Sequence, residues 1–194
     1  MAIYEPWRDK IAEPMARDHF VQVYRDERVL IEAVSLFAGA ALGRNEAVVL
    51  VATGEHGDAV EETLGREGFE IPTLKSWGQI AILDAQEVLT RFMVDGSPDE
   101  ARFKAVIRKL IGEVKSARRF RDVRVYGEMV NLLWSDNLPA ATRLEELWNE
   151  AIEEHSISLF CAYCLDGCGQ PDRVFPPDLR ALHTHCIPIE GAGN

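Results

Sequence analysis

From Asp122 to Tyr163 the chain reads strand, acidic turn, helix, strand, and this order limits the fold more than any other stretch. The apolar run Val123-Arg-Val-Tyr126 stops at Gly127-Glu128. Met129-Val-Asn-Leu-Leu-Trp134 follows, then a helix ending Leu147-Trp148-Asn149, then a second apolar run from Ile157 to Tyr163. Short β-rich runs alternating with helical segments imply a parallel sheet covered on both faces, and ligands of such sheets sit beyond the carboxyl ends of the strands. Gly127 and Glu128 fall at such an end.

The flanking sequence repeats the alternation. Phe20-Val-Gln-Val-Tyr24 alternates at strand period, with His19 just before it. Leu30, Val34, Phe37 and Ala41 are spaced as one helical face, so Glu27 to Leu42 reads as an amphipathic helix ended by Gly43. Ala47 to Ala52 is a continuous β-branched run suited to a central strand. Ile80 to Asp84 is another short strand; Asp84 either caps the next helix, with Glu87 completing a capping box, or faces the same cleft as Glu128. Pro98 suits a first helical position, and Phe103, Val106, Ile107, Leu110, Ile111 and Val114 mark one face of a long helix to about Arg119. Between Ala140 and His155, Leu144, Leu147, Trp148, Ala151 and Ile152 form a buried stripe, with Glu145, Glu146, Glu150, Glu153 and Glu154 expected mostly opposite. Residues 1–17 read as a poorly specified tail interrupted by Pro6 and Pro14.

Composition excludes several functions. The 194 residues suit one domain, and the net charge of −11 opposes direct nucleic-acid binding. Nine of the 21 Lys and Arg, but two of the 32 Asp and Glu, lie between Arg102 and Arg124, a contrast that fits either a solvated helix face or a partner surface. No apolar run is long enough for a transmembrane helix, and Met1-Ala-Ile-Tyr-Glu-Pro-Trp lacks the pattern of a signal peptide, so a cytoplasmic protein with reduced cysteines is expected.

Thr53-Gly-Glu-His-Gly-Asp58, between a buried strand and a helix beginning near Ala59, occupies a position where a phosphate-binding loop would sit. It has no Lys for the β and γ phosphates and no Lys-Ser/Thr pair for magnesium, while Glu55 and Asp58 would set negative charge against a triphosphate. Catalysis remains the alternative class, with Glu128 as a general base. Yet no nucleophile elbow or HExxH motif accompanies it, and Cys161 and His19 form a pair only if the fold brings them together.

His19 with Val23-Tyr24, Gly78-Gln79, Leu83-Asp84-Ala85, Phe92-Met93, Gly96-Ser-Pro98, Val123 to Val130, Leu133-Trp134, Leu144 to Asn149 and Cys161-Ala-Tyr163 resemble, in this order, the MEDS family, the methanogen/methylotroph DcmR-type sensory domain. The resemblance implies a single-domain, three-layer α/β fold, RecA/KaiC-like with a mostly parallel central sheet and no functional P-loop. Its expected span is 18–189, between tails at 1–17 and 190–194. It also implies a sensor of small molecules, in some relatives hydrocarbon derivatives, attached to a histidine kinase or transcription regulator. The length leaves no room for such an output region, so the signal is expected to pass through a partner or a homo-oligomer.

The expected ligand pocket comprises His19, Thr53, Asp84, Tyr126, Glu128 and Trp134, with Glu128 as polar anchor and Trp134 as core or apolar wall. Six soft or borderline ligands lie within the 26 residues from Cys161 to Cys186. The family pattern accounts for Cys161, which reads as a buried strand residue. Possible zinc ligands are therefore Cys164, Cys168, His185 and Cys186, with His183 as alternate, although the spacing is not that of a zinc ribbon. Titrating ATP with magnesium is expected to give no saturable signal below millimolar; micromolar affinity would contradict the reading of Glu55 and Asp58.

Overall fold

The computed structural model describes residues 6–116, 120–165 and 174–187. The first half comprises α1 (Pro6–Ala12), β1 (His19–Tyr24), α2 (Glu27–Gly43), β2 (Ala47–Ala52), α3 (Gly54–Arg66), α4 (Ile71–Ser76), β3 (Ile80–Asp84) and α5 (Ala85–Thr90). The second comprises β4 (Met93–Val94), β5 (Ser97–Pro98), α6 (Glu100–Ser116), β6 (Val123–Gly127), α7 (Met129–Trp134), α8 (Leu138–His155), β7 (Ser158–Cys164), α9 (Pro177–Ala181) and β8 (His185–Ile187).

Six strands make one sheet in the order β3-β2-β6-β7-β1-β8, and every pairing is parallel. Because neighbouring residues of a strand face opposite ways, each strand serves two cores. Val21, Val49, Val125, Cys161 and Tyr163 pack with α5 to α8, whereas Phe20, Leu50, Tyr126, Phe160 and Ile187 pack with α1 to α4. The result is the expected three-layer α/β domain. No helix among the described residues is long and apolar enough to cross a membrane.

Several elements differ from the sequence reading. Pro6 opens α1 instead of interrupting a helix, since its missing N–H costs nothing in the first turn, and Ile11 of that helix is fully buried. α3 begins at Gly54, so most of the stretch read as a loop is helix. Gly57 eases the packing of α3 on β3, since a Cβ there would crowd Ile82 Cγ2 at 3.2 Å. Pro98 lies in the short antiparallel pair β4–β5, and Asp99 Oδ1 caps the next helix through the Arg102 N–H at 2.8 Å. Glu145, expected on the wet side of α8, is fully buried. The basic face of α6 meets the acidic face of α8 through Lys104–Glu150 at 2.8 Å and Arg108–Glu154 at 3.2 Å, so part of the charge contrast is resolved within the molecule.

Arg124 ties the layers together. In β6 it is 2% exposed, and its Nε donates to Glu46 Oε2 at 2.6 Å. Its Nη1 donates to the carbonyls of Ala12 at 3.1 Å and Phe37 at 3.2 Å, which anchors the end of α1 and the middle of α2 to the sheet. Removing one partner of a buried pair strands the other charge. Arg124→Met is therefore expected to cost about 3 to 5 kcal/mol in urea unfolding, against less than about 1 kcal/mol for Arg108→Ala at its exposed pair. A loss below about 1 kcal/mol for Arg124→Met would show that water replaces these bonds.

Candidate functional site

Glu128 stands where β6 ends and α7 begins. Its N–H bonds to Val51 O at 2.9 Å, extending the β2–β6 ladder by one residue, and its side chain is fully buried. It does not cap α7. The carboxylate turns instead to the neighbouring strand end, where Oε2 accepts the Thr53 N–H at 2.9 Å and Oε1 lies 2.7 Å from His56 Nδ1. Thr53 is the N-cap of α3 and makes no side-chain cap of its own, so Glu128 supplies negative charge at the start of that helix. The bond to Glu128 raises the His56 pKa above its ordinary value of 6.5, against the opposing effect of burial. A buried carboxylate is tolerated where a cation and N–H donors meet it, and His56 with Thr53 provides both.

His56 links this carboxylate to the surface. Beside it lies a groove of about 460 Å³ between α2 and α3, bounded by Glu27, Ile31, Ser35, Ala59, Arg66 and Glu67 among others. Tyr24, at the end of β1, sets its ring 6.4 Å from that of His56, edge to face; burial and then Glu128 push its phenol pKa up. Ser35 Oγ and the Tyr126 hydroxyl are buried without a hydrogen-bond partner among the described residues.

Of the expected pocket residues, the fold brings together Thr53 and Glu128, with Tyr126 buried on the preceding strand. Asp84 is an exposed cap, accepting the Glu87 N–H at 2.7 Å. Trp134 is fully buried against Tyr163 and Phe175, at 5.6 and 6.2 Å between ring centroids, and belongs to the core. His19 points to the other core, 3.4 Å from Cys161, where Glu145 and His183 join the pair. Burial opposes ionisation of Glu145, but His183 and His19 outweigh it and hold the carboxyl below the ordinary range. Burial lowers the pKa of His19 and raises that of Cys161.

The residues sequence reasoning missed are His56 and Glu145. The first lay inside the assumed loop; the second sits four residues before Asn149 and one after Leu144, a spacing that already placed it at the margin of the buried stripe. Of the tail ligands, Cys164 ends β7, while His185 bonds Asp18 at 3.0 Å and Cys186 is exposed in β8. Cys168 lies outside the described residues. The strand-to-helix turns are short: Arg25-Asp26 joins β1 to α2, and Thr53 alone joins β2 to α3. Neither has the length of the eight-residue loop that wraps nucleotide phosphates.

Comparison with solved structures finds a KaiC-like protein of the hyperthermophilic archaeon Pyrococcus horikoshii, 14% identical, with a TM-score of 0.52 over 85% of this chain and 69% of that one. At that identity the likeness shows the fold, a RecA/KaiC-like α/β domain. A comparison with curated protein sequences returned no match. Residues 18–183 match the family described as MEthanogen/methylotroph, DcmR Sensory domain, and on that match the chain belongs to the MEDS family.

Proposed function

We propose that this domain is a cytoplasmic sensory module that binds a small molecule in the groove between α2 and α3. It signals by protein association, either with a partner such as a histidine kinase or transcription regulator or with another copy of itself. Family membership supports a sensory role, and one observation carries the choice of site: His56 touches both the groove and the fully buried Glu128. A volume of about 460 Å³ suits a small ligand, and Ile31 and Ala59 offer apolar contact within a charged rim. The buried Ser35 Oγ on that wall lacks a hydrogen-bond partner among the described residues, which favours a ligand with one polar group.

The geometry also supplies a response. A ligand that bonds His56 competes with Glu128 for it, and Glu128 in turn holds the Thr53 N–H at the start of α3. Occupancy therefore biases the seating of α3 and the β6–α7 turn, as any ligand with unequal affinity for two arrangements must.

The test is amide NMR of the full chain, titrated with short alcohols, amines and halogenated hydrocarbons as probes. Shifts are expected to cluster at Thr53 to Ala59 and at Arg28 to Ser35. His56→Ala and Glu128→Gln should each weaken the binding probe by about tenfold to a hundredfold, the worth of a charge-assisted hydrogen bond. Glu153→Gln, exposed on α8, should leave affinity unchanged. Unaltered affinity in both folded site variants, or shifts centred on Arg180 to Ile187, would move the site elsewhere.

A further inference from the structure

We propose that His19, Glu145, Cys161 and His183 bind one divalent transition-metal ion of the zinc class, held on four protein ligands. This is independent of the sensory reading and uses the opposite core. His19 and Cys161 project from neighbouring strands β1 and β7, Glu145 comes from α8, and His183 from the turn between α9 and β8. Their side chains are no more than 1% exposed, and one ligand atom from each lies within 4.8 Å of all the others.

Three of those atoms form a nearly regular triangle. His19 Nε2 is 3.4 Å from Cys161 Sγ and 3.4 Å from Glu145 Oε2, and Cys161 Sγ is 3.6 Å from Glu145 Oε2. A tetrahedral zinc with bonds of about 2.0 to 2.3 Å has ligand-to-ligand edges of about 3.3 to 3.8 Å. The triangle therefore has the dimensions of one face of that polyhedron, and His183, whose ligand atom lies within 4.8 Å of the other three, is placed to supply the fourth corner; its Nε2 is 3.2 Å from the carboxylate's other oxygen, Oε1.

The outer bonds fix both rings in the ligating form. Asn149 donates its amide N–H to Leu182 O at 3.0 Å, which turns its Oδ1 toward His19 Nδ1, also at 3.0 Å. His183 Nδ1 donates to Leu179 O at 2.8 Å. Each Nδ1 thus carries the proton and each Nε2 a lone pair, the pattern usual for metal-bound histidine. Tyr163 and Cys161 donate to Glu145, while His183 Nε2, fully buried, faces Glu145 Oε1 at 3.2 Å without forming a hydrogen bond in this tautomer. Lone pairs that converge without enough donors carry the full desolvation cost, and a cation removes it.

On binding, the Cys161 S–H proton leaves to solvent and the thiolate bonds the ion; no electron moves. Tyr163 and Asn149 remain as outer partners. With four protein ligands the ion has no open position, so its role is structural or regulatory rather than hydrolytic. A groove of about 550 Å³ walled by Trp7, Lys10, Arg180 and Thr184 lies next to His183. This set shares none of Cys164, Cys168, His185 and Cys186.

The competing occupant is a proton shared between a histidine and Glu145, and cobalt(II) distinguishes the two. The full chain is stripped with chelator and titrated with cobalt(II) at neutral pH, following stoichiometry by native mass spectrometry, the thiolate-to-cobalt charge-transfer band and proton release. One ion per chain, the band and about one proton released per ion are expected. Cys161→Ser should abolish the band, and Asn149→Ala should weaken affinity about tenfold. Cys168→Ser and Cys186→Ser should leave both readouts unchanged. Should Cys161→Ser fail to fold, His183→Gln, changed in a turn, should still weaken binding at least about tenfold. No bound cobalt, or a band lost in Cys168→Ser or Cys186→Ser and kept in Cys161→Ser, would overturn the proposal.

Discussion

A buried carboxylate at the end of a parallel strand has to find cations and N–H donors within its own layer, and Glu128 shows how this fold meets that demand. The parallel ladder places the ends of β2 and β6 side by side, so Thr53 N–H is available to Glu128 without any loop to reach across. The close seating of α3 at Gly57 then brings His56 within 2.7 Å of the other oxygen. A Cβ at Gly57 would press on Ile82 Cγ2 at 3.2 Å, so the glycine keeps this contact free of crowding. Glu145 on the opposite core accepts from Tyr163 and Cys161, with His19 and His183 beside it at 3.4 and 3.2 Å. Each carboxylate is thus a point where packing and protonation are linked.

The layers were largely legible in the sequence because they rest on long, periodic signals. The β-branched run Ala47 to Ala52, the helical spacing from Leu30 to Ala41 and the capping alternative for Asp84 each describe features that form, although Glu87 turns to Arg91 and leaves the capping box half made. The sites were less legible, because single residues at the margin of a face are decided by tertiary contacts. Glu145 looked solvated among four other acidic residues, yet the two histidines that bury it come from β1 and from the turn after α9, 126 and 38 residues away. Trp134 lies just past a strand end, but a six-residue helix turns it inward to Tyr163. His56 was hidden by reading a glycine-bearing stretch as a loop, although two glycines in a helix next to a sheet can equally mark a close approach.

The fold likeness to a KaiC-like protein makes the turns at the strand ends informative. Here β1 passes to α2 through Arg25 and Asp26, with Asp26 capping the helix through the Arg28 N–H at 2.9 Å. The connection is closed by its own hydrogen bonds. What the domain offers beyond the strand ends is therefore a histidine–carboxylate pair under a groove, rather than a ring of backbone amides around phosphate. On the proposed reading, a ligand that bonds His56 acts by changing its partners, and Glu128, whose N–H extends the β2–β6 ladder, passes that change to the sheet.

That account stands on the His56–Glu128 pair, and residue-resolved NMR titration of the histidine rings measures it directly. A raised folded pKa means that the pair's contribution to stability is complete below the unfolded value of about 6.5 and is lost as pH rises through the folded value. His56 is predicted to titrate above 6.5, His19 below it, and Glu128→Gln to bring His56 down. A His56 midpoint at or below 6.5, unmoved by Glu128→Gln, would contradict the account.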